Sequence, residues 1–199
     1  MPACEGCGTR TDDAHVARRA ERLEASSRFK PGRVRVLLLD GAPPSRAEDY
    51  FYRAAKNRAD RALGARRYFD ELMYCADIPV TAESKETTLL NEFQRKGFFV
   101  TYAVDCPFEE QDDPKGALRR LAPTVLKRVQ SVYDPAYVVP ISQPTAELIR
   151  LFGMIGWGDR LVLDKGLPFS DPYLADPKRQ TGTSGSLGDR IKRALANLP

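Results

Sequence analysis

Residues 33–44 read RVRVLLLDGAPP, a run of β-branched and aliphatic side chains that stops abruptly at an acid, a glycine and two prolines. Val34, Val36, Leu37, Leu38 and Leu39 show no polar alternation, so both faces of the strand they form must be covered. That is the condition of a central strand in a parallel sheet flanked by helices. Ligands of such sheets gather at the carboxyl ends of the strands. Asp40, Gly41, Ala42, Pro43 and Pro44 therefore stand at the mouth of any site, unless they form a tight connection to the next helix and nothing more.

The pattern recurs along the chain. Phe98–Val104 (FFVTYAV) predicts a second strand ending in Asp105, Cys106 and Pro107. Tyr137–Ile141 (YVVPI) predicts a third, whose Pro140 lacks a ladder donor and suits an edge or a bulge, and Leu161–Leu163 a short fourth. Between them lie helical patterns. Ser45 and Glu48 have the spacing of a capping box, a basic stretch from Arg53 to Arg67 is interrupted at Gly64, and Tyr68, Phe69, Leu72 and Met73 make an apolar stripe assigned to the core. Further helices are expected over Ser84–Lys96, after Asp113 and Pro114, after Pro144, and over Leu187–Leu198. Strand and helix in alternation give an α/β fold, a three-layer α/β/α sandwich on a mostly parallel four-stranded sheet. The chain of 199 residues, 42 % hydrophobic, is read as one domain, with 1–32 as an N-terminal appendage.

No apolar run approaches the roughly 20 residues that span a bilayer, and the N-terminus lacks the layout of a signal peptide. A cytoplasmic protein is expected. The net charge is only +4, but Lys and Arg concentrate in residues 10–35, 53–67 and 178–193, either a surface that follows a phosphate backbone or a set of solvated helix faces. The four cysteines do not have the spacing of a disulfide framework. Cys4 and Cys7 form the knuckle CEGCG, half of a metal site or two free thiols at a terminus. The other thiols are Cys75 and Cys106 and the sole imidazole is His15, so a four-ligand site must use most of these. Tyr50, Phe51 and Tyr52, if helical, point three ways, and at least one is expected to face the mouth of the strand. Phe51 or Tyr52 could stack there on a planar ligand, or all three could pack.

The order of these motifs resembles the uracil-DNA glycosylase superfamily, in particular its iron-sulfur branch: a CxxC, a basic helix, a strand ending in a Gly-and-Pro turn, an aromatic, a strand ending in Cys-Pro, a proline-led strand (PAYVVPI) and a capped helix. The resemblance spans most of the chain through short motifs. It implies a hydrolase of DNA repair that acts on single- or double-stranded DNA and breaks the N-glycosidic bond of a deaminated or damaged base. Asp40 and Asp105 are its candidate catalytic carboxylates. Gly41, Ala42, Pro43, Tyr50, Phe51, Tyr52, Ser142 and Gln143 would bind the base, and Cys4, Cys7, Cys75 and Cys106 would hold an iron-sulfur cluster or zinc. The chain departs from the family in three places. Asp40 stands where a glycine is usual and Gly41 where a polar residue is usual. The fourth cluster cysteine is missing near Leu118–Ala122, so Cys75 has to serve, and the late histidine is replaced by a loop, 172–186, whose Lys178, Arg179, Thr181 and Ser184 would hold phosphates.

Two other classes of function fit the same residues. One is a non-catalytic module that binds nucleic acid or a nucleotide through the same pocket. The other is a structural protein whose CxxC knuckle takes zinc for stability or for a protein contact.

Overall fold

The computed structural model describes residues 4–9, 11–54, 60–108, 113–170 and 185–198. Helix α1 (Asp13–Ser27) precedes strand β1 (Val36–Asp40). A 3₁₀ turn (Ala47–Asp49), α2 (Leu63–Cys75) and α3 (Glu86–Arg95) lead to β2 (Phe98–Tyr102). Helix α4 (Pro114–Arg128) ends in a π-helical turn (Val129–Tyr133) before β3 (Tyr137–Pro140), and α5 (Ala146–Met154) and α6 (Leu187–Ala196) follow.

The strands form one parallel sheet in the order β2-β1-β3, with Val36 opposite both Phe98 and Tyr137. The aliphatic run is therefore the centre of the sheet, as its lack of alternation requires. Val36, Leu37, Leu38 and Leu39 are fully buried, and all five residues of β2 are buried too. Helix α2 packs on α6, α4 on α5, and α3 on β2.

The expected fourth strand is reduced to a single bridge. Leu161 pairs with Val138 and the Val162 N–H reaches the Val138 carbonyl, but no ladder continues. Tyr137 and Ile141 donate inward to β1, so the alternate positions Val138 and Pro140 face the outer edge. Pro140 has no N–H to give there.

The segment after Pro44 also departs from expectation. Ser45 caps nothing, and the only helical residues before the break in the described chain are the three of the 3₁₀ turn. Gly64 does not interrupt a helix but sits in the first turn of α2. Tyr52 instead takes a role on the sheet: its hydroxyl donates to the Val100 carbonyl at 3.0 Å and accepts from the Val100 N–H at 2.6 Å, closing the outer edge of β2. No helix among the described residues is long and apolar enough to cross a membrane.

Candidate functional site

A cavity of about 540 Å³ opens at the carboxyl ends of the strands, a size suited to a small ligand. Asp40 and Ala42 line it from the end of β1, Tyr102 from the end of β2, and Ile141, Ser142, Gln143 and Pro144 from the turn after β3. Gly64, Ala65 and Tyr68 of α2 form the facing wall, with Asp49 and Ser170 at the rim. Gly41 lies beneath the floor. Its N–H donates to Asp40 Oδ1 at 2.6 Å and to Ser142 Oγ at 2.9 Å. A Cβ at Gly41 would stand 3.2 Å from the Pro144 side chain and 3.3 Å from Ser142 Oγ, so glycine lets the two turns close on each other.

Asp40 is the cavity's distinctive group. Burial pushes its carboxyl pKa up, against the opposing pull of hydrogen bonds from Tyr68, Ser142 and Gly41. Tyr68 donates to Asp40 Oδ2 at 2.8 Å, and burial together with the Asp40 charge holds the phenol well above its ordinary pKa. Tyr68 therefore stays a donor. Asp49, the other carboxylate at the rim, is engaged elsewhere, accepting from the Ala62 N–H at 2.8 Å and facing Arg46 at 3.7 Å. Gln143 donates to Ser170 at 3.2 Å across the opening.

The aromatic walls are not those the sequence suggests. Tyr50, Phe51 and Tyr52 are 5 %, 1 % and 2 % exposed and none lines the cavity. Phe51 packs against Phe69 and Phe93, and the Tyr50 hydroxyl donates to the Arg22 carbonyl. Without a helix after Pro44, the chain turns all three rings inward. The rings that do face the cavity are Tyr68, which the periodicity places in the core stripe, and Tyr102, the last residue of β2. Pro43 likewise faces Tyr50 and Tyr102 on the other side of its turn.

A second constellation lies beyond the end of β2. The sulfurs of Cys4, Cys7 and Cys106 and a ring nitrogen of His15 all lie within 4.8 Å of one another, close enough to bind a metal ion. Asp12 caps α1 by accepting from the His15 N–H at 2.8 Å, which fixes the imidazole in the first turn. Cys75 is remote from this group. It is buried in the last turn of α2, donates to the Leu72 carbonyl, and burial drives its thiol pKa far up. His15, not Cys75, completes the set.

Asp105 serves as the bracket for this corner. It pairs with Arg19 of α1 at 3.0 Å and with Arg128 of α4 at 2.6 Å, and its N–H donates to the Gly6 carbonyl. A Cβ at Gly6 would meet the Arg19 side chain at 2.5 Å and Asp105 Cβ at 2.9 Å, which accounts for the knuckle's glycine. Both of its oxygens are held by guanidinium groups, and it does not line the cavity that Asp40 enters. Asp105→Ala is expected to destabilise the chain by about 2–3 kcal/mol, because two partly buried cations lose their partner. Urea midpoints measure this, and an unchanged midpoint would show that neither ion pair contributes.

The chain matches no known family, curated protein or solved structure. What it does must be read from its own residues.

The basic stretches are partly consumed inside the molecule. Arg61 is buried against Glu86, Arg19 and Arg22 hold Asp105, and Arg190 pairs with Asp164. These arginines explain a share of the cationic clusters without any nucleic acid. Lys178, Arg179, Thr181 and Ser184, the expected phosphate contacts, lie outside the described residues.

Proposed function

We propose that the cavity takes an extruded nucleobase and that the protein is a DNA glycosylase of the uracil-removing type, on the sandwich of that superfamily with its fourth strand shortened. The observation that carries this reading is Asp40: a carboxylate of raised pKa at the end of the central strand, in an apolar cavity between Tyr68 and Tyr102. A flipped base needs a flat apolar slot, donors and acceptors for its edge, and electrostatic help as it departs. The tyrosine rings provide the slot, and Ser142 and Gln143 reach the base edge. Asp40 takes a proton from the water that attacks the sugar carbon as the glycosidic bond breaks and its electron pair leaves with the base. Tyr68 has two tasks, since its ring walls the slot while its hydroxyl positions the Asp40 carboxylate.

A second reading is favoured by one feature of the same carboxylate. Both oxygens of Asp40 already accept protein hydrogen bonds, as suits a site that binds a base or nucleotide without reacting. A uracil-containing oligonucleotide incubated with excess protein separates the two. Alkali-labile abasic sites are expected for the glycosylase. Intact uracil and hypoxanthine strands, bound with an affinity that falls steeply with salt, would establish the binding module instead, and neither cleavage nor salt-sensitive binding would remove both readings.

A further inference from the structure

We propose that, of the two groups expected for the cysteines, an iron-sulfur cluster or zinc, it is one zinc ion that Cys4, Cys7, His15 and Cys106 hold, in a closed tetrahedral site. The inference rests on how close the ligand atoms stand. Cys4 Sγ and Cys106 Sγ are 3.8 Å apart, Cys7 Sγ and His15 Nε2 3.6 Å, and His15 Nε2 and Cys106 Sγ 3.0 Å. Zinc bonds of about 2.3 Å to sulfur and 2.0 Å to nitrogen make a tetrahedron with edges of about 3.8 Å between sulfurs and about 3.5 Å between sulfur and nitrogen. Two of the three separations match these edges, the third is shorter, and all four atoms stay within 4.8 Å of one another, the span of ligands that share one ion.

An iron-sulfur cluster makes the opposite demand. A 4Fe–4S cluster takes one ligand per iron and a 2Fe–2S cluster two, so in either case some ligand atoms face each other across the body of the cluster, farther apart than the edges of one tetrahedron. Here all four atoms lie within 4.8 Å of one another, which leaves no room for that body. The donor set points the same way, since three thiolates and one imidazole match a structural zinc set. All four positions belong to the protein, so the site has no open corner for substrate.

The surroundings are those of a fixed metal centre. The Thr9 hydroxyl lies 2.8 Å from Cys7 Sγ, and the Cys4 N–H and carbonyl close the knuckle on Thr9 and Gly8, the kind of outer support that orients metal ligands. The ligands come from the knuckle, from the first turn of α1 and from the segment after β2. One ion thereby ties the N-terminal residues to the end of an edge strand, and this role stands whether or not the cavity proves catalytic.

Protein purified without oxygen is expected to contain about one zinc per chain, no inorganic sulfide and no visible colour. Replacement by Co²⁺ should give the intense red-region bands of a four-coordinate thiolate site. His15→Ala should lower zinc affinity at least tenfold, with His15→Cys restoring it and Cys75→Ala leaving the stoichiometry unchanged. Iron with sulfide and broad visible absorbance, metal-free protein, or zinc that survives His15→Ala unaltered while Cys75→Ala removes it would each overturn the proposal. The wild-type metal analysis needs no variant to fold.

Discussion

Arg61→Ala is expected to destabilise the folded chain by about 3–5 kcal/mol, a third or more of the total for a domain of typical stability. The Arg61 and Glu86 side chains are 0 % and 1 % exposed. Nε and Nη2 of Arg61 bond the Glu86 carboxylate at 3.0 Å each, while Nη1 donates to the Tyr50 carbonyl at 3.0 Å and Nη2 to the Arg53 carbonyl at 2.8 Å. The alanine variant leaves a carboxylate in a dry interior and strips donors from the carbonyls of the 48–53 segment, the one that turns Tyr50, Phe51 and Tyr52 inward. A fall in the thermal midpoint of roughly 10 °C should follow for a chain of this length. Replacing Arg61 and Glu86 together by methionine should recover only part of the loss, because the buried charges vanish but the Tyr50 and Arg53 carbonyls still lose their guanidinium donors. Full recovery would mean that the carbonyl bonds contribute nothing.

Asp40→Asn is expected to reduce base excision about a hundredfold or more while DNA binding persists. The substitution preserves shape: the asparagine oxygen can accept from the Gly41 N–H, and its amide can donate to the Tyr68 hydroxyl. Stability should move the other way. Burial raises the Asp40 pKa, so above the unfolded value the native state binds more protons than the unfolded one, and stability is lost as pH rises toward the folded pKa. Asparagine escapes that loss, and the variant should be the more stable protein at neutral pH. In the wild type, excision should rise with pH as Asp40 ionises. Tyr68→Phe removes a donor that favours the carboxylate and should shift the profile to higher pH. Excision that survives Asp40→Asn undiminished would take the role of base away from this residue, and a profile unmoved by Tyr68→Phe would do the same for the positioning tyrosine.

The centre of the sheet was legible because burial on both faces leaves a direct mark on a strand, and the strand-end rule then located Asp40, Ala42, Ser142 and Gln143 on one cavity. The rings around them were not legible. Tyr68 has the spacing of a core residue, and only tertiary packing shows that its hydroxyl meets Asp40. A capping-box spacing at Ser45 and Glu48 suggests a helix that would turn Tyr50, Phe51 and Tyr52 three ways, whereas the buried guanidinium of Arg61, which follows them with no pattern to mark it as buried, binds that segment's carbonyls. His15 stood out as the sole imidazole. Its selection over Cys75 depends on the docking of α1 through Arg19 and Asp105, a contact across 86 positions that periodicity does not encode.

The treatment of the sheet's two borders bears on how the chain behaves in company. A three-stranded parallel sheet offers two rows of unused backbone groups to any neighbouring strand, an invitation to edge-to-edge aggregation. On one side the Tyr52 phenol occupies both the N–H and the carbonyl of Val100 at the middle of β2. On the other, Pro140 withholds a donor while Val162 and Phe169 take the carbonyls of Val138 and Pro140. A foreign strand would have to dislodge a buried tyrosine at one border and would meet an incomplete ladder at the other, so crowded chains are kept from polymerising through this sheet.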